Sequence, residues 1–163
     1  MILGFSTHIN EKETFFVEKI QSGILERLSV GIDGDYLTKS NIGMAISGQP
    51  KLHTIREYKN DRWQVGTKID FFINVRQKDM FRFAPVLPVV NTQKVYMTYK
   101  FGDVIEISIG EKYLASYIDR LEFAINDGFD NWQDFFNYFY PKIMAAEKQF
   151  YKAKLIHWTD LRY

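Results

Sequence analysis

The chain has 163 residues, of which 46% are hydrophobic and 25% charged, and its 21 basic and 20 acidic side chains leave a net charge of +1. This balance is typical of one globular domain over residues 1–163, and it excludes a disordered chain or a nucleic-acid binder that acts through bulk charge. The sequence has no cysteine, no signal-peptide pattern and no apolar run of the roughly 18 residues that a membrane span needs, so we expect a cytoplasmic protein without a membrane partner.

The first part of the chain predicts a strand, a helix and a long loop. Residues 2–6 form an apolar run typical of a short buried strand. Asn10 followed by Glu13 is typical of a helix N-cap, and apolar residues follow at helical spacing as far as Ile24. The periodicity then fades and glycines recur, so we predict a loop-rich insertion around residues 25–48.

The middle of the chain predicts a series of strands. Residues 52–56 look extended, and apolar and polar side chains alternate over 68–75, the clearest strand. Two prolines interrupt residues 81–90, which favours an edge strand or an irregular one. Residues 94–99 and 104–109 both alternate, and the short link between them suits a hairpin.

Near the end of the chain the apolar period changes from two residues to that of a helix. Residues 114–125 carry one apolar stripe, and Gly128 is suited to the left-handed position after a helix. Asp130 predicts the N-cap of a second helix that Pro141 limits, and residues 154–158 predict a final strand. This order favours the α+β class with a mainly antiparallel or mixed sheet.

Common catalytic and cofactor motifs are absent from the sequence. It has no phosphate-binding loop, no dinucleotide-binding glycine motif and no serine-hydrolase elbow. The three histidines are scattered, without the spacing of metal ligands. We therefore expect neither a metal ion nor a cofactor.

The segment 47–57 carries the densest set of chemical groups, including His53. On a strand, Thr54 and Arg56 project from the same face. Lys51 joins them only if the strand begins after it. A solvated edge strand with scattered polar groups is the alternative interpretation.

A second cluster mixes cations and rings. Arg56, Lys59 and Arg62 alternate with Tyr58 and Trp63, a composition that would hold phosphates and stack bases. An ordinary basic loop has the same composition, so the pattern alone leaves both interpretations open.

The run from Gly48 to Arg56 reads K-x-x-T-I-R from Lys51 and resembles the ASCH domain family, whose members carry G-x-K-x-x-T-I-R after their first helix. Here two residues separate Gly48 from Lys51 where the family more often has one, and the segment after the first helix is longer. The resemblance spans residues 2–158. Three later stretches resemble the family's strand entry, helix pair and last strand: 63–69, 124–135 and 155–158.

The resemblance implies a PUA-like fold, a small mixed β-barrel with helices flanking a cleft. Relatives bind RNA, and some small bacterial members are amidohydrolases that deacetylate N4-acetylcytidine with a lysine, a threonine and a carboxylate. Carried over by motif, these catalytic residues are Lys51, Thr54 and Asp127. Arg56 would lower the pKa of the lysine or bind a substrate oxygen.

Three functions are compatible with these observations. The first is a domain that binds RNA or a modified nucleobase or nucleoside in the cleft, and the near-neutral charge favours a small ligand. The second is an amidohydrolase that deacylates an N4-acylated cytidine-type nucleoside. The third is a protein–protein interaction domain, indicated by the aromatic content of 17%. For the first function, the ligand-binding residues are His53, Arg56, Tyr58, Arg62 and Trp63.

Overall fold

The computed structural model describes residues 1–28, 49–59 and 61–163. The strands in chain order are β1 (Ile2–Phe5), β2 (His8–Ile9), β3 (Lys12–Glu13), β4 (His53–Glu57), β5 (Lys68–Ile73), β6 (Phe81–Arg82), β7 (Leu87–Pro88), β8 (Asn91–Thr98), β9 (Glu106–Ile109), β10 (Lys112–Tyr113) and β11 (Phe150–His157). The helices are α1 (Phe16–Leu28), α2 (Tyr117–Asn126) and α3 (Trp132–Ala145). In these three stretches no helix combines the length and the apolar character that a membrane crossing requires.

The strands form a mixed sheet, an antiparallel sheet and a small hairpin. In the mixed sheet β1 pairs in parallel with β5, and β5 pairs antiparallel with β6 and β7. The antiparallel sheet has the order β10-β9-β8-β11-β4, and β2 pairs with β3 alone. The predicted α+β class is thus confirmed, as is a sheet system that is partly antiparallel and partly mixed.

The two larger sheets enclose two cores that share β11. Ala153 and Leu155 face the first core, in which α2 and α3 pack on the antiparallel sheet. Ile156 and, just beyond the end of β11, Trp158 face the second core, in which α1 packs with the mixed sheet. Because successive strand residues point to opposite faces, one strand lines both cores, and its apolar sequence reflects burial on both sides.

Three local predictions about helix ends are wrong. Asn10 does not cap α1; it lies with a φ of 50° in the turn between β2 and β3, a conformation that asparagine tolerates better than most residues. The N-cap of α3 is Asn131, whose side chain accepts from the Asp134 N–H, and not Asp130. Pro141 lies inside α3, because burial of neighbouring apolar residues of the helix outweighs one missing backbone hydrogen bond.

Three further predictions, the insertion around residues 25–48, the β-barrel and the hairpin, can be compared with the structure. Residues 25–28 belong to α1, and residues 29–48 lie outside the part of the chain that the structure describes. Within the described residues the strands form separate sheets, and their hydrogen bonds do not close into one ring. The hairpin predicted between 94–99 and 104–109 is confirmed as β8 and β9.

Candidate functional site

The segment before β4 is held between two helices. β4 begins at His53, so Lys51 and Leu52 precede it. The Lys51 N–H donates to the Lys19 carbonyl of α1 at 3.0 Å, and the Leu52 N–H donates to the Asn126 carbonyl of α2 at 2.9 Å. Because it precedes the strand, the Lys51 side chain does not follow the alternation of β4.

Asp127 follows α2 directly and accepts hydrogen bonds from two sides. Its Oδ1 lies 3.1 Å from Lys51 Nζ and accepts from the Ile55 N–H at 2.9 Å. Lys51 Nζ also donates to the backbone carbonyl of Asp127. Lys51 is 1% exposed and Asp127 5%. Two charges this deeply buried remain ionised only because they are paired and hydrogen-bonded.

Gly128 brings the end of α2 close to Lys51. Its φ is +95°, and a Cβ there would lie 2.8 Å from Lys51 Cδ and 2.9 Å from a ring carbon of Phe16. Lys19 Nζ donates to the Gly128 carbonyl at 2.7 Å and to Asp130 Oδ1 at 2.6 Å. The ammonium groups of Lys51 and Lys19 therefore both lie at the negative end of the α2 dipole.

The protonation of the Lys51–Asp127 pair follows from burial and charge. Burial lowers the pKa of Lys51 to about 8, with the Asp127 carboxylate acting in the opposite direction and Arg56 and Lys19 adding to the lowering. Burial alone would raise the pKa of Asp127, but Lys51 and His53 outweigh it and hold that pKa below its ordinary value. Asp127 is thus an anion at neutral pH, and Lys51 gives up its proton far more readily than an exposed lysine.

The predicted catalytic residues line one small cavity, which we call the Lys51 cavity. Its volume is about 40 Å³, and Lys51, Thr54, Arg56 and Asp127 contribute to its wall. Thr54 is buried, and Arg56 donates to the Gly4 carbonyl at 2.6 Å. Among the described residues the buried Arg56 Nε has no hydrogen-bond partner. The residues in the wall of the cavity therefore carry a carboxylate, a hydroxyl, a guanidinium and an amine.

A larger surface depression, the basic groove, adjoins the Lys51 cavity. It has a volume of about 540 Å³ and shares Ile55, Arg56 and Tyr138 with the cavity. Among the described residues, its lining includes four cations and one carboxylate: Arg56, Lys59, Arg62 and Lys142, and Glu57. The surplus of positive charge suits an anionic part of a ligand whose other end enters the cavity.

His53 does not line the cavity, unlike the other residues of its motif. It projects from β4 on the side opposite Thr54, where its Nδ1 lies 3.4 Å from Asp127 Oδ1 and its Nε2 lies 2.8 Å from the Tyr163 hydroxyl. Burial lowers the pKa of His53, so the ring is neutral. His53 therefore lies next to Asp127 and outside the lining of the cavity, and its role as a ligand contact stays a prediction.

The remaining predicted ligand residues are dispersed. Arg62 lines the basic groove. Tyr58 lies on the outer face of the antiparallel sheet, 41% exposed, with Lys154 Nζ 5.5 Å from its ring centre. Trp63 is 4% exposed and packs in the second core, so its ring cannot stack on a ligand. The alternation of Tyr58 and Trp63 with cations did not place the two rings together, because Trp63 lies beyond the end of β4.

Several contributors to the site carry no sequence signal of that role. Tyr138 borders both the cavity and the groove but precedes Phe139 in an ordinary aromatic helix face. Phe16 packs under Lys51, with Nζ 4.6 Å from its ring centre. Lys19 is a charged residue at a buried position of α1, and this burial is visible only in the structure.

In comparisons with known proteins, no family model, no curated protein and no solved structure matches this chain. Within the described residues, no group of three or more His, Cys, Asp or Glu side chains is arranged to hold a metal ion.

Proposed function

We propose that this chain is an ASCH-type, PUA-like domain that binds a nucleobase, as a free or modified nucleoside or within RNA. The observation that carries the proposal is the meeting of Lys51, Thr54, Arg56 and Asp127 at one cavity. These side chains come from the segment before β4, from β4 itself and from the end of α2. They are also the positions that the sequence resemblance selects.

The size of the Lys51 cavity restricts how a base would enter. A volume of about 40 Å³ holds roughly three water molecules, so it accepts the polar edge of a base and not the whole ring. The Asp127 carboxylate would accept from an exocyclic amine, while Thr54 and Arg56 Nε would donate to a ring carbonyl or nitrogen. Single-stranded bases are read in this way along their Watson–Crick edges. The sugar and any phosphate would then lie in the basic groove.

Binding is tested with cytidine, N4-acetylcytidine and uridine, by calorimetry on the wild-type protein and on Thr54→Val. Loss of one hydrogen bond to a ligand costs about 0.5–1.5 kcal/mol, so we expect affinity to fall by roughly 2- to 13-fold. Thr67→Val is the matched control, since Thr67 lies outside the cavity. Equal affinity of Thr54→Val and wild type for every nucleoside would reject the proposed site.

A second candidate function, amide hydrolysis, is favoured by one observation: Lys51, with a pKa lowered to about 8, lines the same cavity as the Thr54 hydroxyl. At pH 7 about one tenth of such a lysine is unprotonated and able to act as a base. Thr54 Oγ1 would attack the acyl carbon while Lys51 Nζ takes the hydroxyl proton. That proton would pass to the departing exocyclic amine, and water would then release the carboxylic acid from the acyl-threonine.

Release of acetate from N4-acetylcytidine separates the two candidates. The hydrolase predicts turnover that rises with pH up to about 8 and disappears in Thr54→Val and Lys51→Met. Tight binding of the nucleoside with no acetate released at any pH leaves the binding function and removes the catalytic one.

A further inference from the structure

The outer face of the antiparallel sheet carries a row of rings and amines across three neighbouring strands. The register places Tyr96 of β8 opposite Lys152 of β11. The Tyr58 N–H donates to the Lys152 carbonyl at 3.1 Å, which extends the alignment of β4 by one residue. Residues directly opposite each other in a sheet project from the same face. Tyr96, Lys152 and Tyr58 therefore stand side by side.

Two more side chains complete this surface, which we call the sheet platform. Phe150 stacks on Tyr96, with ring centres 5.4 Å apart and an interplanar angle of 6°. Lys94 joins them around an open hollow of about 380 Å³ lined by Tyr58, Lys94, Tyr96, Phe150 and Lys152. Phe150 is 38% exposed, although a ring of this size is normally buried.

The charge on the platform is positive. Among the described residues, neither Lys94 nor Lys152 forms an ion pair, whereas the neighbouring carboxylates of Glu57 and Asp61 are paired with Lys59 and Lys154. Lys152 Nζ lies 5.5 Å from the Phe150 ring centre, next to a ring face. A partner that covers this surface must therefore supply both flat apolar groups and negative charge.

We propose that the sheet platform binds single-stranded nucleic acid. A single strand presents a π-face on each base and a phosphate between successive bases, and ring-and-lysine surfaces recognise it by stacking and charge. The Cα atoms of Tyr96 and Tyr58 are separated by two strand spacings, about 10 Å, which leaves room for a base beside each ring. An apolar protein surface would match the rings but would bury two unpaired ammonium groups at a cost.

The platform is a different site from the Lys51 cavity, and the inference does not depend on the cavity's function. The platform and the cavity have no lining residue in common. The platform and the basic groove adjoin at residues 57–59, because Glu57 and Lys59 line the groove and Tyr58 lines the platform. A strand bound on the platform would therefore lead towards the groove. The cavity would then receive one base of a longer chain.

The test is fluorescence anisotropy with a labelled oligouridine of about 12 nucleotides, measured over a range of salt concentrations. For Phe150→Ala and Tyr58→Ala we expect the dissociation constant to rise by about 5- to 160-fold each, since stacking on one ring is worth that much. For Lys152→Ala we expect weaker binding and a salt dependence reduced by about 0.7 in log–log slope, the value for one phosphate contact. Phe101→Ala and Lys112→Ala are matched controls at exposed positions that do not line the hollow of the platform.

Each outcome decides the inference, provided that circular dichroism shows every variant folded. Equal losses in the Phe150→Ala and Phe101→Ala proteins, or no binding of wild type at low salt, would overturn it. Equal affinity for heparin and for a duplex of the same length would also overturn it, because charge alone would then explain binding. A Thr54→Val protein that loses nucleosides but keeps the oligouridine separates the platform from the cavity.

Discussion

Gly128→Ala tests how closely the backbone after α2 packs against Lys51 and Phe16. The φ of +95° strains any residue with a Cβ, at about 1–2 kcal/mol. The new methyl group would also lie 2.8 Å from Lys51 Cδ and 2.9 Å from the Phe16 ring, and overpacking of this kind costs about 1–3 kcal/mol. The two effects together predict a loss of roughly 2–5 kcal/mol in the free energy of unfolding, or about 4–20 °C in Tm.

Gly102→Ala separates these two effects. Gly102 has a φ of +67°, and a Cβ there would meet no atom within 4 Å. Its replacement should therefore cost only the backbone strain, about 1–2 kcal/mol. Urea unfolding of both variants measures the difference. If the two lose equal stability, the contact of Gly128 with Lys51 and Phe16 contributes nothing, and the reasoning about this corner of the site is refuted.

Three further predictions concern the buried titratable groups. Asp127→Asn leaves the Lys51 ammonium buried without its partner and should cost roughly 3–5 kcal/mol in urea unfolding, against under about 0.5 kcal/mol for the exposed Asp160→Asn. The pKa of Lys51 is lowered from 10.5 to about 8, so the unfolded chain binds more protons between these values. The unfolding free energy of wild type should therefore rise from pH 8 to 10.5 relative to Lys51→Met, and a parallel pH profile would contradict this. Burial lowers the pKa of His157 from 6.5 to about 3, so its contribution to stability is lost as pH falls from 6.5, and His157→Leu should flatten the acid side of the curve.

The sequence predicted those parts of the fold in which the local pattern of apolar residues matches the burial of their side chains in the structure. The alternation of residues 68–75 placed Ile69 and Phe71 in a core, where both are fully buried. The positive φ of Gly128 followed from its position after an apolar helical stripe. Asn10 and Pro141 were interpreted wrongly because each has a second structural use: a left-handed turn residue and a helix residue held by packing.

The site was predictable as a set of residues but not as a geometry. Alternation along β4 predicted that Thr54 and Arg56 share a face, and both line the Lys51 cavity. The same alternation places His53 on the opposite face of β4. A motif resemblance identifies residues, but it does not say in which direction each side chain points. Nothing in the sequence indicates that Tyr163 would reach His53, because that contact joins residues far apart in the chain through tertiary packing.

A purely structural role would explain part of the Lys51–Asp127 pair. Lys51 satisfies the Asp127 carbonyl at the end of α2, and Asp127 satisfies the Ile55 N–H. Packed apolar residues of similar volume stabilise a fold as well as a buried ion pair does, or better. What a structural role leaves unexplained is the cavity beside the pair, whose wall includes Thr54 and Arg56, the latter with an Nε that has no hydrogen-bond partner in the part of the chain that the structure describes. A tie between helix and strand needs no such space, whereas a ligand with a polar edge does, and this favours the proposal that the pair belongs to a binding site.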